Sequence, residues 1–193
     1  TEPGTYTLAL TVTDDAGVAN STTTTTEEIT VNPTATAGLE APWPLCPGDS
    51  HAWVARATNV VAARWRFGDG TESEGVEVEH AFSRPGLYPV AVTLDDGRGL
   101  ANSVRTETVF VRVNRAPEAV AGPDRLACPG DVLVFDADES VDHDGKLDSF
   151  TWRFDDGVVL TGSTVERSFD APGLYAAELT VTDETGAACG VAT

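Results

Sequence analysis

An internal repeat governs what this chain can fold into, because it fixes the size of one structural unit before any residue is interpreted. Trp65-Arg66-Phe67-Gly68-Asp69-Gly70 returns as Trp152-Arg153-Phe154-Asp155-Asp156-Gly157. The stretch Arg84-Pro85-Gly86-Leu87-Tyr88, running through Asp95-Asp96-Gly97, returns as Ala171-Pro172-Gly173-Leu174-Tyr175 through Asp183-Glu184-Thr185-Gly186. A third copy lies at Glu2-Pro3-Gly4-Thr5-Tyr6 through Asp14-Asp15-Ala16-Gly17. Cys46-Pro47-Gly48-Asp49 and Cys128-Pro129-Gly130-Asp131 stand 82 residues apart and the two Trp motifs 87 apart, so five residues are inserted between Cys128 and Trp152. The 193 residues then divide into the two closing strands of a partial unit (1–32), a complete unit (33–114) and a unit (115–193) whose last strand is expected just beyond Thr193. Proline-bearing stretches around Asn32-Pro33 and Asn114-Arg115-Ala116-Pro117 mark the boundaries. Since Thr1 falls inside a unit, the sequence is expected to be part of a longer protein.

Within a unit the periodicity is two. Tyr6, Leu8, Leu10 and Val12 alternate with small or polar residues, as do Tyr88, Val90, Val92 and Leu94, and Tyr175, Ala177, Leu179 and Val181. Such alternation predicts half-buried strands, ended by the Asp-rich turns that follow. Trp65 and Phe67 flank an outward Arg66, and Val76, Val78, His80 and Phe82 share one face of the return strand. No apolar spacing of 3.6 persists, so helix is expected to be minimal. Short strands at intervals of about 8–12 residues predict an all-β fold of tandem sandwiches.

Charge narrows the function. Thirty-one acidic against twelve basic residues give a formal charge of −19, which opposes binding to nucleic acid or anionic membranes and favours cation binding. No run of about 18 apolar residues is present, so no membrane insertion is expected in this segment. His51, His80 and His143 lie in different units or elements, and none belongs to a nucleophile or zinc-protease motif. Acidic pairs fall in turns at strand ends. Catalysis is therefore not expected.

The Trp-x-Phe-Gly-Asp-Gly motif, a following Phe, Pro-Gly-x-Tyr, an alternating strand and an Asp-rich turn together resemble the PKD (polycystic kidney disease) domain, an immunoglobulin-like β-sandwich found in tandem on extracellular proteins. The resemblance covers nearly the whole chain. It departs from the family at Arg66 and Arg153, where Asp is usual, and at Asp155, where Gly68 becomes an aspartate. It implies buried core roles for Trp65 and Trp152, and corner roles for Tyr6, Tyr88 and Tyr175 at strand starts. It further implies a non-catalytic extracellular spacer, secreted or at the cell surface, that contacts neighbouring domains of the same chain and serves assembly or adhesion. The alternative is an accessory module of a secreted hydrolase that engages protein or polysaccharide, for which Trp43 and Trp53 are the candidate exposed aromatics.

The most chemical stretch is the insertion, Asp136 through Asp148. Calcium takes six to eight oxygen ligands, and closely spaced Asp in a Gly-containing loop can converge carboxylates on one hard cation. Asp142 and Asp144, with Asp148 and Asp138, are the candidate ligands, and some PKD domains resemble this in holding calcium at loop carboxylates. Cys128 and Cys189 are the expected disulfide of an extracellular sandwich; Cys46 is left either free or paired outside the chain. Asn20-Ser21-Thr22 is a glycosylation sequon.

Overall fold

A computed structural model describes residues 2–15, 22–31, 33, 39–56, 60–100 and 102–193. Asn20, the glycosylation candidate, lies outside the described residues. Among the described residues all the regular elements are strands, and no helix is long and apolar enough to cross a membrane.

The partial unit supplies β1 (Gly4–Thr13) and β2 (Thr22–Val31), an antiparallel hairpin in register from Gly4↔Val31 to Thr13↔Thr22. Tyr6, Leu8, Leu10 and Val12, expected to be half-buried, are instead exposed. The alternation is real, but no second sheet faces this hairpin among the described residues.

The second unit packs two sheets. One pairs β3 (Ser50–Val54) with β6 (Glu77–Ala81); the other has the order β5-β4-β7-β8, from β4 (Ala62–Arg66), β5 (Glu72–Glu74), β7 (Gly86–Asp95) and β8 (Val104–Val113). The third unit repeats the plan: β9 (Val132–Asp136) pairs with β12 (Thr164–Ser168). Its other sheet, in the order β11-β10-β13-β14, uses β10 (Leu147–Phe154), β11 (Val159–Thr161), β13 (Ala177–Asp183) and β14 (Val191–Ala192). These are tandem immunoglobulin-like sandwiches, as the alternation predicts.

Each of the two sandwiches has its own core. Trp65, Phe67, Val90, Val92, Leu94, Val111 and Val113 are wholly buried in the second; Trp152, Phe154, Leu179 and Val181 fill the third. The indole N–H groups of Trp65 and Trp152 donate to the carbonyls of Gly75 (2.9 Å) and Gly162 (3.1 Å), so each ring is buried without losing its hydrogen bond. Trp53, a candidate exposed aromatic, is 2% exposed, because β3 turns it inward against Trp65, Phe67 and Phe82. The three tyrosines tie the chain back by four residues, Tyr6 and Tyr88 at the starts of β1 and β7 and Tyr175 just before β13: Tyr6 donates to Glu2, Tyr88 to Arg84 and Tyr175 to Ala171, each to a backbone oxygen.

Equivalent positions change in concert. Gly68 has φ +77°, and a Cβ there would lie 2.6 Å from the Pro89 ring. At the equivalent place Asp155 fits because Pro89 has become Ala176, whose N–H donates to the Asp155 carboxylate at 3.2 Å. The turn aspartates act alike in both units. Asp69 accepts from the Thr71 backbone and hydroxyl and pairs with His80 at 2.9 Å, while Asp156 accepts from Val158 and pairs with Arg167. His80 stacks on Phe67 and Arg167 lies over Phe154, so the partner of the turn aspartate is His in one unit and Arg in the other.

Burial raises the Asp69 carboxyl, but the Thr71 hydrogen bonds and His80 outweigh it and hold the group below the ordinary carboxylate range. A folded pKa below the unfolded one gives stability that is present above the unfolded value, about 3.9, and lost as pH falls through the folded value. Asp69→Asn is therefore expected to flatten the acid limb of the second unit's unfolding, read as melting temperature against pH below about 4. An unchanged acid limb would show that the pair contributes nothing.

Candidate functional site at the junction between units

The two ends of each sandwich carry different turns. The Cys-Pro-Gly-Asp turn lies at the end where the Tyr-bearing strand begins: Gly48 N–H donates to the Phe82 carbonyl, and Leu45 bridges Val113 beside Gly86. The Asp-rich turn lies at the other end, after Asp95 or Asp183. The Cys-bearing end of the second unit therefore meets the Asp-rich end of the third.

That arrangement decides the disulfide. Cys189 is bonded to Cys46, with Cα atoms 5.7 Å apart, and Cys128 is free and exposed. The expected Cys128–Cys189 bridge is thus replaced by one between units. Within the third unit the two residues sit at opposite ends of β13, whose seven residues span about 20 Å at roughly 3.3 Å per residue, well beyond the reach of a disulfide. Cys46, left without an assigned partner by the sequence, is the residue that Cys189 meets.

The third unit's Asp-rich turn differs from its counterpart in the residues that allow this meeting. In the second unit the Asp96 N–H donates to the Ser103 carbonyl and the Ser103 side chain helps hold the Asp96 carboxyl below its ordinary range, and Asn102 stands where Cys189 stands later. In the third unit Ser103 has become Gly190, where a Cβ would lie 2.3 Å from Asp183 Oδ1. Asp183 accepts from the Thr185 backbone and hydroxyl through Oδ1, and its Oδ2 accepts from Asn114 Nδ2 of the linker at 2.7 Å in a buried contact. Burial raises the Asp183 carboxyl, but the hydrogen bonds from Thr185 and Asn114 bring it below the ordinary range. Asn114, 2% exposed, reaches the same turn and lies 3.8 Å from Cys189 Sγ. The sequence marked Asn114 only as a boundary; its role follows from the carboxylate that the loss of Ser103 leaves available.

The insertion lies against the same linker. Arg112 donates to the Asp144 carbonyl at 2.6 Å, and the Arg115 N–H to Asp144 Oδ2 at 3.2 Å. Asp142 Oδ1 accepts from the Asp144 N–H at 3.1 Å. Asp142 Oδ2 and Asp144 Oδ1 are buried with no hydrogen-bond partner, and burial first, then the adjoining Asp142, push the Asp144 carboxyl above its ordinary value. Gly145 keeps the space beside them open: a Cβ there would meet Asp142 Oδ2 at 2.6 Å and Glu184 Oε1 at 3.5 Å. Asp138 and Asp148, the other two ligand candidates, are exposed. Asp138 turns its N–H onto Asp136, and Asp148 sits at a register shift in β10 between Leu147 and Ser149. Among the described residues no three His, Cys, Asp or Glu form a metal-holding group, so convergence is limited to Asp142 and Asp144.

Elsewhere the histidines stay apart: His51 lies edge-on to Trp53, His80 pairs with Asp69, and His143 is 3.6 Å from Glu118. Trp43 is 53% exposed with Arg112 over its ring. A cavity of about 470 Å³ in the third unit is lined by Ala127, Phe135, Trp152 and Tyr175, among others. Ala127 corresponds to Leu45, which in the second unit bridges Val113, so the matching space there belongs to the end of β8 rather than to a ligand.

Among known proteins, the chain is 34% identical over 109 residues to collagenase ColA of Clostridium perfringens, covering 56% of this chain and 9% of that protein. It is 29% identical to the dyslexia-associated protein KIAA0319-like protein of Mus musculus, over 94% of this chain and 19% of that one. It is 26% identical to the pre-pro-metalloprotease PrtV of Vibrio cholerae, over 67% and 14% respectively. The chain thus spans less than a fifth of each of these relatives. Among solved structures, fibronectin(III)-like modules of Clostridium thermocellum CbhA align over 82% of this chain and 90% of theirs, at 16% identity and a TM-score of 0.39. The model of the PKD domain matches residues 30–111 and again 114–193, one match to each sandwich, and the chain belongs to the PKD domain family.

Proposed function

We propose that this chain is a non-catalytic, semi-rigid spacer of a larger extracellular protein, in which the second and third units are held in one orientation to present neighbouring domains. The observation that carries the reading is the concentration of ties at one junction: the Cys46–Cys189 bond, the buried Asn114–Asp183 hydrogen bond, and the Arg112 and Arg115 contacts to Asp144. A flexible linker makes no such contacts. Disulfides persist mainly in oxidising compartments, which supports a secreted or cell-surface location. The relatives named collagenase and pre-pro-metalloprotease fit a parent whose other parts are catalytic, and the same stiffness would serve adhesion or assembly. Replacing residues 33–193 in the parent protein by a Gly/Ser linker of equal length is expected to abolish its action on an insoluble partner while sparing any activity on small soluble substrates. Full retention of both would exclude a need for stiffness.

A calcium ion at Asp142 and Asp144 is part of this reading. Two buried carboxylate oxygens without hydrogen-bond partners, in a protein of charge −19, suit a hard cation whose charge offsets their repulsion; water and main-chain oxygens would complete six to eight ligands. Asp144 has a raised pKa. Its contribution to stability is therefore fully present below the unfolded value and lost as pH rises through the folded one, which leaves a repulsion at neutral pH for a cation to relieve. Asp144→Asn is expected to raise the melting temperature of the chelator-treated protein at pH 7 and to remove the rise that calcium gives the wild type. A wild type that melts identically with calcium and with chelator would end the calcium reading while leaving the spacer reading intact.

A further inference from the structure

Cys128 occupies the turn that, one unit earlier, is stapled to its neighbour. The Cys46 N–H donates to Asp49 Oδ2, Asp49 N–H to the Cys46 carbonyl, and Gly48 N–H to Phe82 on the return strand. Cys128, Asp131 and Gly130 repeat all three bonds, with Phe169 in place of Phe82. The two turns thus hold their cysteines in the same frame at the same end of each sandwich. Cys46 projects from that frame to Cys189 in the Asp-rich turn of the next unit, whereas Cys128 is a free thiol. The equivalence, rather than the free thiol alone, identifies what belongs there.

We propose that the Cys128 end of the third unit is a docking face for a further PKD-type unit, closed by a disulfide from Cys128 to a cysteine in that unit's Asp-rich turn. The inference rests on the junction reading above, because it carries the Cys46–Cys189 arrangement forward by one repeat. The chemistry is thiol–disulfide exchange. The Cys128 thiol and the partner thiol together lose two protons and two electrons to a disulfide oxidant, whose own S–S bond breaks to leave two thiols as the new S–S bond forms. The acceptor turn is recognisable by the substitutions that distinguish the third unit from the second: Cys in place of Asn102 and Gly in place of Ser103. A unit that keeps the second unit's Asn and Ser there has no partner sulfur to offer.

Non-reducing peptide mapping of the parent protein, alkylated on secretion and purified without reductant, tests this. The expected result is two linked fragments, one joining Cys46 to Cys189 and the other joining Cys128 to a cysteine in the Asp-rich turn of a different unit. Cys128→Ser is then expected to remove the second fragment and leave the first. Recovery of Cys128 as an alkylated thiol, or capped by a small thiol, with the Cys46–Cys189 fragment present, would overturn the docking proposal alone. A Cys128–Cys189 fragment would overturn it together with the junction.

Discussion

Trp65→Ala is expected to lower the stability of the second unit by about 3–5 kcal/mol, the usual range for removing a large buried aromatic from a packed core. The indole touches both layers: it stacks parallel to Phe67, lies tilted against Trp53, and donates its N–H to the Gly75 carbonyl. Truncation leaves a cavity and deprives that carbonyl of its donor, and neither loss can be relieved without moving β4 within its sheet. The third unit keeps a separate core around Trp152, so calorimetry should show one transition displaced to low temperature and the other nearly unmoved. A shift equivalent to less than about 1 kcal/mol would be too small for a fully buried aromatic and would mean that Trp65 is not the centre of its unit.

Cys46→Ser carries the second large effect. The bond closes a loop with a sequence separation of 143 residues, so its loss is expected to cost about 2–4 kcal/mol by releasing the unfolded chain. It also removes the covalent tie beside the Asn114–Asp183 contact. Cys189→Ser should reproduce the effect, whereas Cys128→Ser should leave the thermal unfolding of this chain unchanged. Denaturation under non-reducing conditions distinguishes these outcomes. If Cys128→Ser destabilised the chain as much as Cys189→Ser, the bridge would lie within the third unit after all.

Local signals in the sequence predict the core of a sandwich but not which cysteines meet. Alternation at Val90, Val92 and Leu94 is a local signal, and it predicts buried strands correctly because a facing sheet is supplied within the same unit. The same alternation at Leu8 and Leu10 leads to exposed side chains, since periodicity shows which face is apolar and not whether anything covers it. Trp65 and Trp152 are legible as core because their neighbours turn with them. Trp53, with fewer alternating neighbours, is not legible in the same way. The disulfide depends on which ends of two units meet, a long-range relation that spacing along the chain does not encode. A clue was nevertheless present: Cys46 and Cys128 are equivalent positions, and a partner suited to one end of a sandwich cannot serve the turn at the opposite end of the same sandwich.

The insertion divides along the same line. Asp142 and Asp144 are two apart in a tight loop, and their proximity follows from local geometry. Asp138 and Asp148 were candidates by nearness in sequence, but one lies in a separate turn and the other at a strand irregularity. The contributions of Arg112, Asn114 and Arg115 come from the preceding unit and its linker, so they become visible only once the two sandwiches are joined.

On the proposed function the second and third units hold one orientation, set at the junction between them. Glu79 and Glu166 occupy equivalent exposed positions on the two units. Spin labels attached there through non-natural side chains leave the cysteines intact, and pulsed dipolar spectroscopy then reads the distance between units. A single narrow distance distribution is expected in the oxidised protein and a broad one in Cys46→Ser; a broad distribution in the oxidised wild type would show that the junction does not fix the orientation.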